Sequence, residues 1–271
     1  MFSPYYRSAF ARGNGDPENH CALNVALYGG KRRWTMTERG RGSVQREATQ
    51  FTIGPSQLRW NGQWLEIDIH EFGVPLPFPV RGKVRVHPAS LCGFGAPLDP
   101  AGRHRWGPIA PCARVEVEFT QPSLRWKGHA YLDSNEGDEP IDRPFREWDW
   151  SRATLSDGST AVIYDVQPKD GSERLLGQRF FPDGRIEAFA PPPRQALPKT
   201  GWRLERRMRS EGSAPVREID LLEDTPFYER SVLASRLLGE DVISVHETLN
   251  VPRLVSPLVQ RMLPFRMPRA G

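Results

Sequence analysis

Apolar and polar positions alternate with a period of two along most of the chain, in short runs broken by turn-forming residues. That is the signature of half-buried β-strands. Ala113-Arg114-Val115-Glu116-Val117-Glu118-Phe119 sets Val and Phe on one face and charge on the other, and Lys83-Val84-Arg85-Val86 alternates in the same way. Gln57–Trp60 and Gln63–Ile69 flank Asn61-Gly62, which predicts a hairpin with a type I′ turn. Leu124–Asp133 reads as a strand interrupted at Lys127-Gly128. Trp148–Leu155 turns through Asp157-Gly158 into Thr160–Val166, and Arg174–Phe181 turns through Pro182-Asp183-Gly184 into Arg185–Phe189. Trp202–Met208, Val216–Leu222 and Val242–Leu249 complete the predicted strands. The Pro-rich stretches Gly73–Pro79 and Ala190–Pro193 read as stiff connections. No internal repeat is visible, and the Arg143-Pro144 turn divides the strands into two β-rich halves, 1–145 and 146–271.

Composition sharpens this picture. With 26 Pro and 24 Gly in 271 residues, the longest stretch free of both is Phe145–Asp157, 13 positions. Such punctuation excludes a long-helix bundle or a series of βαβ crossovers, leaving an all-β barrel or sandwich. Lys+Arg is 37 against Asp+Glu 33, a net charge of +4, too small a surplus to indicate a nucleic-acid partner. Cys21, Cys92 and Cys112 are an odd number in no C-x-x-C pattern, which argues against a disulfide framework or zinc site and fits a reducing cytoplasm. No apolar run approaches the ~18 residues of a membrane span, and Met1–Arg7 lacks the basic-then-apolar order of a signal peptide. The chain contains no Gly-rich phosphate loop, no G-x-S-x-G and no H-E-x-x-H, and none of its six histidines is spaced with a cysteine as a metal ligand. These features predict a protein without cofactor or metal.

Two polar clusters stand among aromatics. On extended backbone His104 and Trp106 share a face, as do His129, Tyr131 and Asp133. Inside a barrel they would bring imidazole, indole, phenol and carboxyl groups into a mostly apolar cavity. From periodicity alone, the simpler reading is a cross-strand polar pair closing a barrel end. Glu38, Arg39 and Arg41 read as a solvated ion-pair cluster rather than a second acid.

The chain also resembles the carotenoid 1,2-hydratases, or hydroxyneurosporene synthases. The resemblance is carried by Phe2–Tyr6, His20–Gly29, Arg33–Arg39, Trp106–Pro111, Gly128–Asp133, Trp148–Arg152 and Ser256–Arg269, blocks that run from one end of the chain to the other. It implies two tandem lipocalin-like antiparallel β-barrels, the first lacking its opening strands, because family members carry a Trp- and Tyr-rich strand pair upstream of Phe-Ser-Pro-Tyr-Tyr. The catalytic positions of the family fall on His104, Trp106, Tyr131 and Asp133 with residue types unchanged. The implied reaction adds water to the terminal C1=C2 double bond of an acyclic carotenoid such as neurosporene or lycopene. In it Asp133 is the acid, Trp106 faces the cation, His104 deprotonates the water and Tyr131 holds the water or Asp133, with His129 behind them. Two other classes share the scaffold: a carrier of apolar ligands, and a cyclase or isomerase of terpenoid-like substrates. A carotenoid substrate also implies peripheral contact with the inner membrane. Leu254–Arg269, apolar and arginine-rich without an acid, reads either as that contact, its three prolines preventing one continuous helix, or as a tail that closes the second barrel with its arginines in water.

Overall fold

A computed structural model describes residues 3–270; Met1, Phe2 and Gly271, the first two of which open the N-terminal segments read above, lie outside the described residues. The protein is all-β with antiparallel pairing in both main sheets. It forms two compact units, one made of the chain up to Pro88, Arg114–Ala130 and the residues from Gln260 onward, the other of Ala89–Ala113 and Tyr131–Val259. The boundary expected after residue 145 is not an edge of either unit, because the long strands His104–Gln121 and Ser123–Gly137 contribute to both.

In the first unit, Val44–Arg46, Gln50–Ile53, Ser56–Trp60, Leu65–Phe72 and Pro79–Pro88 form a meander of sequential antiparallel neighbours. The hairpin at Asn61-Gly62 forms, but strand pairing ends at Trp60 and Leu65, so the loop has four residues rather than two. Gly62 alone takes positive φ (95°), whereas a type I′ turn needs it at both central positions. Asn61 instead accepts the backbone N–H of Gln63 and Trp64, each at 2.9 Å, an Asx turn.

The second unit is built on a seven-stranded sheet in the spatial order Ile186–Ala188, Arg174–Phe180, Thr160–Pro168, Phe145–Thr154, Glu240–Asn250, Tyr228–Leu237, Arg217–Asp224. Phe145–Thr154 lies near its middle, with Trp150 opposite Tyr164 on one side and Glu247 on the other. Tyr228–Leu237 escapes the sequence pattern because its inward positions are Glu229, Ser231 and Leu233, all fully buried, so polar residues occupy an apolar face. Of the expected strand Trp202–Met208, only Arg207 and Met208 are extended in a sheet, within the short strand Arg207–Arg209. In this pairing order neither main sheet closes on itself among the described residues.

One further expectation is corrected. Glu38 and Arg39 are buried, not solvated: Glu38 takes hydrogen bonds from Ser3 and Arg269 and pairs with His20 at 2.7 Å, while Arg39 meets buried Glu71 at 2.7 Å. Charges taken out of water persist when paired this closely. Arg41 does stay exposed, on Asp16 and Glu18. As expected, the C-terminal stretch is not one continuous helix: Val251–Leu254 forms a single turn, and a second helix, Pro257–Arg266, starts after Ser256 and holds Pro264 inside it. Pro257 falls in the first turn, where no N–H is required. Val259, Leu263 and Met267 are buried, whereas Leu258, Met262 and Phe265 face outward.

Candidate active site

His104, Trp106, Tyr131 and Asp133 all belong to the second unit. Along His104–Gln121 burial alternates at the start, so that His104 and Trp106 are buried and Arg105 between them is exposed. Tyr131 and Asp133 sit at alternate positions of the adjoining strand Ser123–Gly137. The geometry converges on one atom. Asp133 Oδ2 accepts the indole N–H of Trp106 at 2.8 Å and the phenol O–H of Tyr131 at 3.0 Å.

Aromatic rings surround this carboxyl group and its donors. Trp106 is fully buried and meets Phe94, Tyr164 and Phe180 edge-on at centroid distances of 5.9, 5.7 and 6.1 Å. Tyr131 packs on Trp150 at 5.5 Å, with the Arg152 guanidinium 5.5 Å from its ring centre. Burial raises the Asp133 pKa above the ordinary carboxylate range, and the hydrogen bonds from Trp106 and Tyr131 pull it back down. Glu247 adds to the rise and Arg152 opposes it. Burial, reinforced by the Asp133 charge, also raises Tyr131, which stays a neutral hydroxyl donor.

His104 is held differently. Its backbone N–H donates to Asp99 Oδ1 at 2.6 Å, and its ring stands edge-on to Phe145 at 4.9 Å. Gly137 leaves room for it: a Cβ there would lie 2.5 Å from His104 Nδ1 and 2.7 Å from Cε1. Nε2 is buried and has no hydrogen-bond partner among the described residues. Burial lowers the His104 pKa, against the charges of Asp99, Glu139 and Asp138, and so favours the neutral ring. The structure therefore joins three of the four expected residues by direct hydrogen bonds and places the fourth two positions along the strand from Trp106. His129 is exposed.

Sequence reasoning missed much of the aromatic wall. Phe145 and Trp148 pack edge to face at 5.6 Å, Trp148 reaches Tyr164 at 6.4 Å, and Tyr164 donates to Asn135 at 3.2 Å. Trp148 and Trp150 share parity on one strand, a signal available in the alternation. Tyr164 lies in a strand buried on both faces and gives no such signal.

A second buried polar cluster in this unit is separate from the quartet. Arg206 joins Glu229 at 2.8 Å and Glu218 at 2.6 Å, and His246 lies 3.4 Å from Glu229 and 3.8 Å from Asp149. Burial pushes Asp149 up to about 6, opposed by the His246 charge and a hydrogen bond from Thr248.

The whole chain, residues 1–271, matches the model of the family described as carotenoid hydratase CrtC. It is 59% identical to an acyclic carotenoid 1,2-hydratase of Rubrivivax gelatinosus over 99% of this chain and 67% of that protein. Identity is 52% to the protein of that name from Thiocapsa roseopersicina, over 100% of this chain and 67% of the relative. It is 38% to that from Cereibacter sphaeroides, over 99% and 95% of the two chains. On sequence similarity along its full length, this chain belongs to the carotenoid hydratase CrtC family.

Proposed function

We propose that the protein is an acyclic carotenoid 1,2-hydratase, adding water across a terminal C1=C2 double bond, with Asp133 as the proton donor. The observation that carries this reading is the double hydrogen bond from Trp106 and Tyr131 to a single oxygen of a half-buried carboxyl group.

The chemistry follows from the arrangement. With Oδ2 accepting from two donors, the acidic proton belongs on Oδ1 and passes from there to C2, leaving a tertiary cation at C1. The two hydrogen bonds strengthen as Oδ2 gains charge, so they stabilise the transition state more than the ground state. This assigns the Trp106 N–H to the acid, in addition to any attraction of its ring for the cation. Neutral His104 then takes a proton from the water that attacks C1. Its transfer back to Asp133 resets the site, and the net change is one water added to the alkene.

Both pKa shifts serve this cycle. With ordinary values of 3.8 for the carboxyl and 6.5 for the imidazole, only roughly one molecule in 500 would hold the acid protonated and the base neutral at once, even at the best pH. Raising Asp133 and lowering His104 both enlarge that fraction. The same burial causes both.

Such a substrate dissolves in lipid rather than water, so the enzyme collects it at a membrane surface. No helix among the described residues is long and apolar enough to cross a membrane. Incubation with lycopene in ¹⁸O-labelled water tests the reading: it predicts product with one labelled oxygen per hydrated end. Unchanged lycopene indicates a carrier, and a product of unaltered mass indicates a cyclase or isomerase; either outcome refutes the proposal.

A further inference from the structure

Three segments of the first unit, far apart in sequence, meet in space: Tyr28–Thr37, Phe72–Gly82 and the helix end at Met262–Arg266. The Val74 N–H donates to the Trp34 carbonyl at 2.9 Å, and the Trp34 indole N–H donates to the Arg266 carbonyl at 3.2 Å. The guanidinium of Arg33 lies 5.0 Å from the Phe78 ring centre, that of Arg81 lies 4.5 Å from Phe72, and that of Arg266 lies 4.5 Å from Trp34. None of the three segments contains an Asp or Glu, although acids make up 33 of the 271 residues. Large apolar side chains are nonetheless exposed there: Phe72 by 51%, Leu76 by 62%, Phe78 by 51% and Phe265 by 76%.

An apolar cluster rimmed by cations and free of acids in its own segments matches the chemistry of an anionic bilayer interface. Aromatic and aliphatic tips enter the acyl boundary while Lys31, Arg32 and the arginines above meet phosphate. The stiff proline pattern of Gly73–Pro79 suits insertion, since a pre-formed loop loses little entropy on binding. We propose that this face, with the 72–79 hairpin at its tip, docks the protein on membranes containing anionic phospholipid. The proposal deepens the reading of the protein as an enzyme of a lipid-dissolved substrate and rests on it. It moves the expected contact from the C-terminal tail alone to three segments.

Co-sedimentation with phosphatidylcholine vesicles, with and without phosphatidylglycerol, tests it on the full chain. We expect binding that requires the anionic lipid and weakens with salt. Lys31→Gln/Arg32→Gln should lower partition about 25-fold on anionic vesicles, at about fivefold per basic residue. Leu76→Ser/Phe78→Ser should lower it at least tenfold, and Leu76→Trp should raise it. Hydration of detergent-dispersed lycopene should be unchanged in all three variants, and that of vesicle-embedded lycopene should track binding. Equal wild-type binding to neutral and anionic vesicles, or variants that bind like wild type, would overturn the proposal. So would a stable dimer in solution that Leu76→Ser/Phe78→Ser dissociates, since the face would then bind a second copy. Absence of hydration in detergent would count against the proposed activity and leave the vesicle result to be read separately.

Discussion

Trp106→Phe isolates the contribution of one hydrogen bond to Asp133, the proposed acid. Phenylalanine keeps an aromatic ring among Phe94, Tyr164 and Phe180 but removes the N–H that reaches Asp133 Oδ2 at 2.8 Å. A hydrogen bond to a charged group contributes about 1.5–3 kcal/mol. Most of it is realised as the carboxylate forms, so the plateau rate should fall about 10- to 150-fold. The pH profile supplies an independent sign. The Trp106 bond lowers the Asp133 pKa against the larger effect of burial, so its loss raises that pKa further. The variant then stays protonated to higher pH, and its alkaline limb moves up as its plateau drops. Initial rates on detergent-dispersed lycopene, read by chromatography across the neutral range, measure both, with thermal unfolding as the check on the fold. A plateau within about threefold of wild type, under about 0.7 kcal/mol, or an alkaline limb that moves down, would refute the reasoning.

Other outcomes follow from the same geometry. Asp133→Asn should be as stable as wild type or more so at alkaline pH. Because burial raises the folded-state pKa, the wild-type fold loses stability as pH rises from the unfolded carboxyl value through the folded one, a loss the amide escapes; a melting-temperature difference that turns against the variant as pH rises would contradict this. Gly137→Ala, whose Cβ would meet His104 Nδ1 at 2.5 Å, should cut turnover by displacing the buried imidazole, and wild-type kinetics would show that the ring has room to yield. Arg206→Ala leaves Glu229, fully buried, without its cation and should cost about 3–5 kcal/mol in denaturant unfolding. A loss below about 1 kcal/mol would mean that His246 compensates the charge alone.

Much of the fold was legible because a half-buried strand writes its two faces into alternate residues. Ala113–Phe119 and the hairpins around Gly158 and Gly184 lie in the structure where the pattern puts them. The pattern fails where burial and polarity part company. Tyr228–Leu237 hides Glu229 and Ser231 against Arg206 and His246, and Glu38 hides against Arg269, a partner 231 positions away. Pairings at that separation leave no local trace. The candidate site divides the same way. Tyr131 and Asp133 are legible as i and i+2 on one strand, but the donation from Trp106 requires knowing which strands adjoin. The N-cap that Ser3 provides for the helix Pro4–Ala11 was present in Ser-Pro, yet a helix of eight residues is too short to stand out from the surrounding loops.

The central claim is that Asp133 delivers the proton, and turnover of lycopene by Asp133→Asn in ¹⁸O-labelled water tests it most directly. The amide still accepts from Trp106 and Tyr131 but has no proton acidic enough to give to an alkene. The account predicts that labelled product disappears while the fold remains intact. Retention of more than about a tenth of wild-type turnover, a barrier change under about 1.4 kcal/mol, would contradict it and move the acid to another residue.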